Sequence, residues 1–298
     1  MARKIGMDEA VRRFEAINNP DGIILCFDAD ANCEKNYLIE VEKHFKSNPK
    51  SPACSIHFEH PIAGAEFSEN IYKGIIQYEL HLRVYKNGLK YAGLPYAYHT
   101  IGSSMAVRSS IYQKQNGMNK RKAGEDFYFL QKLIPLGGFT ELTSTKVIPS
   151  PRVSDRVPFG TGKAMQNWID GDEPEMQSYA LESYQDLKQF NIVLKHLYKG
   201  GTIEIPVTIK AFLESIVWKK DLENIRKNST SEQHFVKLFC NWFNAFKVLK
   251  YMHFARDNYY PDVTVSKAGN GLLEILNKGS QEEIVELLEV YRQYDKIT

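Results

Sequence analysis

No stretch of this chain approaches the ~20 consecutive apolar residues that a membrane-spanning helix needs, so no span is expected. The start, Met1-Ala2-Arg3-Lys4-Ile5-Gly6, is basic but has no apolar run after it and does not read as a secretory signal. An excess of one charge is missing as well. The 38 basic and 36 acidic residues leave a net charge of +2, which gives no bulk field for nucleic acid or an anionic membrane. The four cysteines (Cys26, Cys33, Cys54 and Cys240) show no CxxC spacing; they fit a reducing cytoplasm, with Cys26 as a small buried hydrophobe. The eight histidines form no metal-ligand cluster, and no internal repeat is present.

What remains is an ordinary globular composition. At 298 residues, 43% hydrophobic and 25% charged, the chain can build one large domain or two modest ones. Residues 8–18 carry an apolar stripe (Val11, Phe14, Ile17) and predict a helix stopped by Asn18-Asn19-Pro20-Asp21-Gly22. The short apolar run 23–27 predicts a strand buried on both faces. Further helices are expected at 34–45, 68–85 (ending at Asn87-Gly88) and 125–134, with strands at 53–58, 103–107 and 139–148. Alternating strands and helices imply an α/β layered sheet. Beyond a boundary near residue 165 the strand signals fade, and long helical patterns occupy 184–198, 209–225, 232–256 and 281–294. Phe235, Phe239, Trp242, Phe243 and Phe246 cover much of one of these helices and read as core, with a membrane or partner face as the alternative.

Three segments carry chemistry. The run Ile23-Ile24-Leu25-Cys26-Phe27 breaks into Asp28-Ala29-Asp30. In an extended chain both carboxylates project to one side, and a hard divalent cation takes one or two carboxylates plus phosphate oxygens at the carboxyl ends of strands. An Asp-x-Asp also occurs as a plain turn. Glu125 and Asp126 open a helix, where they either complement the helix dipole, worth ~0.3–1 kcal/mol, or supply a general base. The stretch from Pro149 to Lys163 is a Pro- and Gly-containing loop whose Arg152, Arg156 and Lys163 suit phosphate, or are solvated surface charges.

Together, from about Ala2 to Lys163, these segments resemble a family 2 glycosyltransferase of the GT-A fold. The resemblance rests on the apolar strand into Asp28-Ala29-Asp30, the Gly102–Arg108 segment, the Glu125-Asp126-x-x-x-Leu130 helix and the Arg-rich loop 152–162. It implies a truncated, Rossmann-like GT-A mixed sheet with helices on both faces, lacking the usual N-terminal nucleotide-binding strands, at residues 1–165. A helical C-terminal region would follow at 166–298. The implied activity is metal-dependent, inverting transfer of a sugar from a nucleotide-diphosphate donor to a glycan or lipid-linked acceptor, in cell-surface polysaccharide synthesis. Asp28 and Asp30 would hold Mn²⁺ or Mg²⁺, Asp126 would be the base with Glu125 orienting it, and Arg152, Arg156 and Lys163 would steady the diphosphate. The expected setting is cytoplasmic, with peripheral membrane contact and no nucleic acid. Two alternatives stay open. One is a non-catalytic, degenerate module or a fragment that binds a partner or glycan; the other is a metal-dependent phosphoryl or nucleotidyl transferase.

Overall fold

The computed structural model describes residues 2–120, 124–155, 158, 160–171, 174–200 and 203–297. The protein is α/β, with a mixed five-stranded sheet and a largely helical C-terminal region. The strands are β1 (Ile23–Cys26), β2 (Asn32–Cys33), β3 (Ala53–Phe58), β4 (Met105–Arg108) and β5 (Thr140–Ile148). Their order is β1-β4-β3-β5-β2; only the β3–β5 pair is parallel. Helices α1 (Ala2–Ala16), α2 (Tyr37–Ser47), α3 (Glu69–Tyr91), α4 (Ser109–Lys114), α5 (Glu125–Leu133) and α6 (Thr161–Asp170) accompany the sheet along the chain.

β3 sits inside the sheet and is buried at all six positions. β1 is instead an edge strand, and its burial alternates, which corrects the expectation of a strand buried on both faces. Ile24 and Cys26 turn to the α1 side, where Met7 lies 3.6 Å from the Cys26 sulfur. Ile23 and Leu25 turn the other way and join Tyr37, Val41 and Phe45 of α2 over Cys54, Ile56, Ala106, Leu142 and Val147. The period of two along a strand thus seats one helix on each face of the edge.

One connection decides where Asp28 and Asp30 lie. β1 and β2 lie on opposite edges of the sheet, yet only residues 27–31 join them. That segment therefore crosses the end of the sheet at which β1, β3 and β5 all finish, carrying Asp28 and Asp30 with it. It does so through a turn closed by the Ala31 N–H on the Asp28 carbonyl at 3.0 Å, so the segment is not extended and the strand period that would put both aspartates on one side does not apply.

The chain divides into two compact units. Residues 1–83, 98–176 and 282–298 form the sheet unit, and residues 84–97 and 177–281 form a helical one. The helical unit contains the last turns of α3, then α7 (Leu181–Val193), α8 (Val207–Ser215), α9 (Lys219–Lys227), α10 (Glu232–Trp242), α11 (Ala245–Asn258) and α12 (Val265–Ile275). A short ribbon of β6 (Gln177–Ser178) and β7 (Val263–Thr264) completes it. Phe190, Phe235, Phe239 and Phe243 are buried together there, as core.

Two long helical patterns are broken in the structure. The 232–256 pattern splits because the Asn244 side chain accepts the Phe246 and Lys247 N–H groups and starts α11 anew. The 209–225 pattern splits at Val217, whose φ of 53° no helix accommodates. Conversely, α3 runs through Asn87-Gly88 to Tyr91. Gly88 is there for contact, since a Cβ would lie 2.5 Å from the Tyr184 ring.

The final helix, α13 (Ile284–Ile297), belongs to the sheet unit and is held by buried charge. Glu79 is fully buried and accepts hydrogen bonds from the Arg83 Nε (2.9 Å), the Arg292 Nε (2.8 Å) and the His60 backbone N–H (2.7 Å). Arg83 also reaches Asp295 at 2.5 Å and the Phe58 carbonyl, while Arg292 reaches the His60 carbonyl at 2.8 Å. The end of β3, the middle of α3 and the last helix are thereby locked together. Glu79 is held well below the usual carboxylate range; burial alone would raise it, but Arg83, His60 and Arg292 more than offset that.

Glu79→Leu would remove the buried carboxylate that Arg83 and Arg292 share, leaving them only Asp295 and Glu289. It is expected to lower unfolding stability by ~3–5 kcal/mol in urea denaturation. Acid should weaken the same unit earlier than carboxylates alone would. Burial lowers His57, against the opposing Glu59 hydrogen bond, and lowers His81 to about 4. Below the ordinary histidine value of 6.5 the unfolded chain takes up those protons first, so stability falls as pH drops from there. Glu79 adds a further loss below 4.5. A lower urea midpoint at pH 5.5 than at pH 7.5 is expected; an equal or higher one contradicts this.

Candidate active site

Three elements converge at the end of the sheet where β1, β3 and β5 finish. α1 brings Arg3, the 27–31 crossing brings Asp28 and Asp30, and the first turn of α5 brings Glu125 and Asp126. Ahead of α5, Gly124 takes a left-handed φ of 66°, which sets the angle at which the helix enters. Phe129, Leu130 and Leu133 are buried and fix the helix to the core.

The centre of the group is the Arg3 guanidinium. Its Nη2 donates to Asp28 at 2.9 Å and 3.3 Å, its Nη1 donates to Glu125 at 2.6 Å, and Asp126 stands 3.8 Å away. Gly102 makes the space, because a Cβ there would lie 2.4 Å from the guanidinium. Burial opposes the charge on Arg3, but Asp28 and Asp126 more than compensate and its pKa is raised. The Nε of Arg3 is buried with no acceptor among the described residues.

Asp126 is pushed above the ordinary aspartate value. Burial is the main cause; Arg3 and the Phe127 N–H, which donates to Asp126 at 2.7 Å, act the other way. That direction suits a proton acceptor, whose affinity for a proton must not be too low. Tyr78 of α3, a residue that sequence reading missed, borders the same group. It hydrogen-bonds Thr161 and is pushed up to about 12, first by burial and then by the charge of Asp126.

The two aspartates of Asp-x-Asp are held from different directions. Asp28 pairs with Arg3, whereas Asp30 pairs with Arg152, which lies just beyond β5. Lys163 stands half-buried in the first turn of α6 and is not part of this ion-paired group. Arg156 lies outside the described residues. The loop leading to α6 is tied down where the Ser154 N–H donates to the Gly162 carbonyl at 3.1 Å, and α6 seats Trp168 against Gly74 of α3. Arg108, at the far end of β4, donates to the carbonyls of Ser51 and Phe45 and serves the fold.

The donor chemistry fits a divalent cation. Asp28 and Asp30 offer hard carboxylate oxygens with side chains 48% and 38% exposed, and such a cation takes its remaining oxygens from phosphate and water. Among the described residues no group of three or more acidic, histidine or cysteine side chains is gathered for a metal, so the protein alone forms no closed cage. A cavity of about 500 Å³ lies away from this group, at the start of β5, lined by His44, Asn48, Thr140 and Asp295. Its lining contains none of Arg3, Asp28, Glu125 and Asp126. No described helix is long and apolar enough to cross a membrane.

Because Arg3 draws the Asp126 pKa down against burial, Arg3→Met is expected to move the Asp126 carboxyl titration further up, followed by ¹³C NMR. An unchanged or lower midpoint contradicts the coupling. Gly102→Ala should act in the same direction with little loss of fold, since the Cβ displaces only the end of a long side chain.

No protein-family model, curated protein or solved structure matches the chain.

Proposed function

We propose that the protein is a glycosyltransferase that moves a sugar from a nucleoside-diphosphate donor to an acceptor hydroxyl, with inversion at the anomeric carbon. One observation supports this most strongly. Asp28, from the end of β1, and the Glu125–Asp126 pair, from the start of α5, meet around a single guanidinium although they are far apart in the chain. On this reading Asp28 faces the diphosphate and Asp126 the acceptor, and their proximity supports transfer between two substrates held side by side.

Asp126 takes the proton from the acceptor hydroxyl. The acceptor oxygen bonds to the anomeric carbon as the bond from that carbon to the diphosphate breaks, and the diphosphate leaves with the electron pair. Glu125 orients the acceptor beside Asp126, and the Tyr78 hydroxyl borders the same space. Arg152 donates to phosphate oxygens when it leaves Asp30, with Arg156 and Lys163 supplying further positive charge. Asp28 and Asp30 would hold Mn²⁺ or Mg²⁺, which when bound neutralises charge on the leaving diphosphate. The acceptor is a glycan or a lipid-linked sugar, and the setting is cell-surface polysaccharide synthesis on the cytoplasmic side.

The experiment is product analysis over a panel of uridine- and guanosine-diphosphate sugars with Mn²⁺. Asp126→Asn is expected to lower transfer by ~10²–10⁴-fold, with uridine diphosphate binding close to that of the unmodified protein. Equal loss of binding and transfer contradicts the base role. Binding without transfer of any sugar by folded protein contradicts the enzyme reading.

A further inference from the structure

We propose that Arg3 is a displaceable counter-cation: it gives up Asp28 to a divalent cation and passes its guanidinium to the diphosphate, so that metal and diphosphate bind cooperatively. This rests on reading the acidic group as a metal–diphosphate site.

Competition follows from the distances. The Nη2 of Arg3 engages both Asp28 oxygens, at 2.9 Å and 3.3 Å. A Mg²⁺-sized cation approaches a carboxylate oxygen to ~2.0–2.1 Å. A guanidinium held at the same oxygens would then sit only a few ångströms from a doubly charged ion, in a place that is not fully wet. Repulsion there is larger than between exposed charges in water. Asp28 therefore serves either cation but not both.

Exchange follows from what Arg3 has left over. Its Nε is buried without an acceptor among the described residues, and Nε with one Nη forms the two-pronged edge that matches two phosphate oxygens. The guanidinium packs directly on Gly102, where a Cβ would lie 2.4 Å from it, so the absence of a side chain at that position is what admits it to the group. A diphosphate arriving with its cation would offer that edge a partner when Asp28 is taken. A cation arriving alone offers none and must break the Arg3–Asp28 pair uncompensated. The carboxylates of the two pairs are similarly exposed, 48% for Asp28 and 38% for Asp30, but the Arg152 side chain is 45% accessible against 16% for Arg3, and a pair with an exposed cation contributes little. The lock is thus Arg3. By linkage, the factor by which diphosphate strengthens metal binding is also the factor by which metal strengthens diphosphate binding.

The test is calorimetric titration with Mn²⁺ alone and with Mn²⁺ plus uridine diphosphate, on the full chain, with Asp28→Asn as the control for the site. Wild-type protein should bind Mn²⁺ alone weakly and gain strongly from the nucleotide. Arg3→Gln should bind Mn²⁺ alone ~10-fold tighter or more, within the range usual for coupled sites, and gain less from the nucleotide. Arg3→Lys keeps the charge without the two-pronged edge and should lose most of the nucleotide gain; it decides the matter if circular dichroism shows Arg3→Gln unfolded. If Arg3→Gln binds Mn²⁺ no tighter and keeps the full nucleotide gain, the counter-cation role is overturned while the metal–diphosphate reading stands. If neither protein binds Mn²⁺ with or without nucleotide, both are overturned.

Discussion

Three carboxylates from two distant stretches cannot share one partly buried corner unless a positive charge holds them there. Arg3 is that charge, and the site depends on it. Asp28 and Glu125 each lie within hydrogen-bond distance of its guanidinium, with Asp126 just beyond. Without such a partner, repulsion and desolvation would drive the group apart or force protons onto it. The placement of Arg3 is in turn a matter of packing. Met7 on the same helix seats α1 against Cys26 of β1, and Gly102 leaves the room into which the guanidinium fits. Local burial and long-range charge thus meet at one side chain.

A second knot of charge stabilises the platform beneath. Glu79, Arg83, Arg292 and Asp295 pin α13 to α3 and to the carbonyls that follow β3, at the end of the sheet that the Asp-x-Asp crossing spans. Buried ions of this kind are costly to isolate and add little net stability over a well-packed apolar core. What they fix is geometry, because every partner must be present.

Much of this was legible in the sequence, and what was not has physical reasons. The α/β class, the strand before Asp28 and the helix opening at Glu125 follow from apolar runs, turn residues and first-turn acids. The aromatic stripe at Phe235, Phe239 and Phe243 is core, as its spacing implies. Arg3 escaped notice because one basic residue among many near a chain start has no local signature; its partners come together only in three dimensions. The same holds for Arg292 and Asp295, which on a helix read as solvated charge and are buried by what packs on them. The extended chain that would put Asp28 and Asp30 on one side is not formed, because the chain must cross from one sheet edge to the other and a turn over Asp28–Ala31 overrides the strand period. Gly88 looked like a helix stop and is a contact glycine, a distinction that only the Tyr184 ring makes visible.

The measurement that bears most directly on the central claim is the crystal structure of the protein with Mn²⁺ and uridine diphosphate, with the metal located by its anomalous signal. The account predicts one Mn²⁺ peak bounded by Asp28, Asp30 and the diphosphate, with the Arg3 guanidinium moved from Asp28 onto a phosphate oxygen. A nucleotide bound elsewhere, with Arg3 still bridging Asp28 and Glu125, would contradict it.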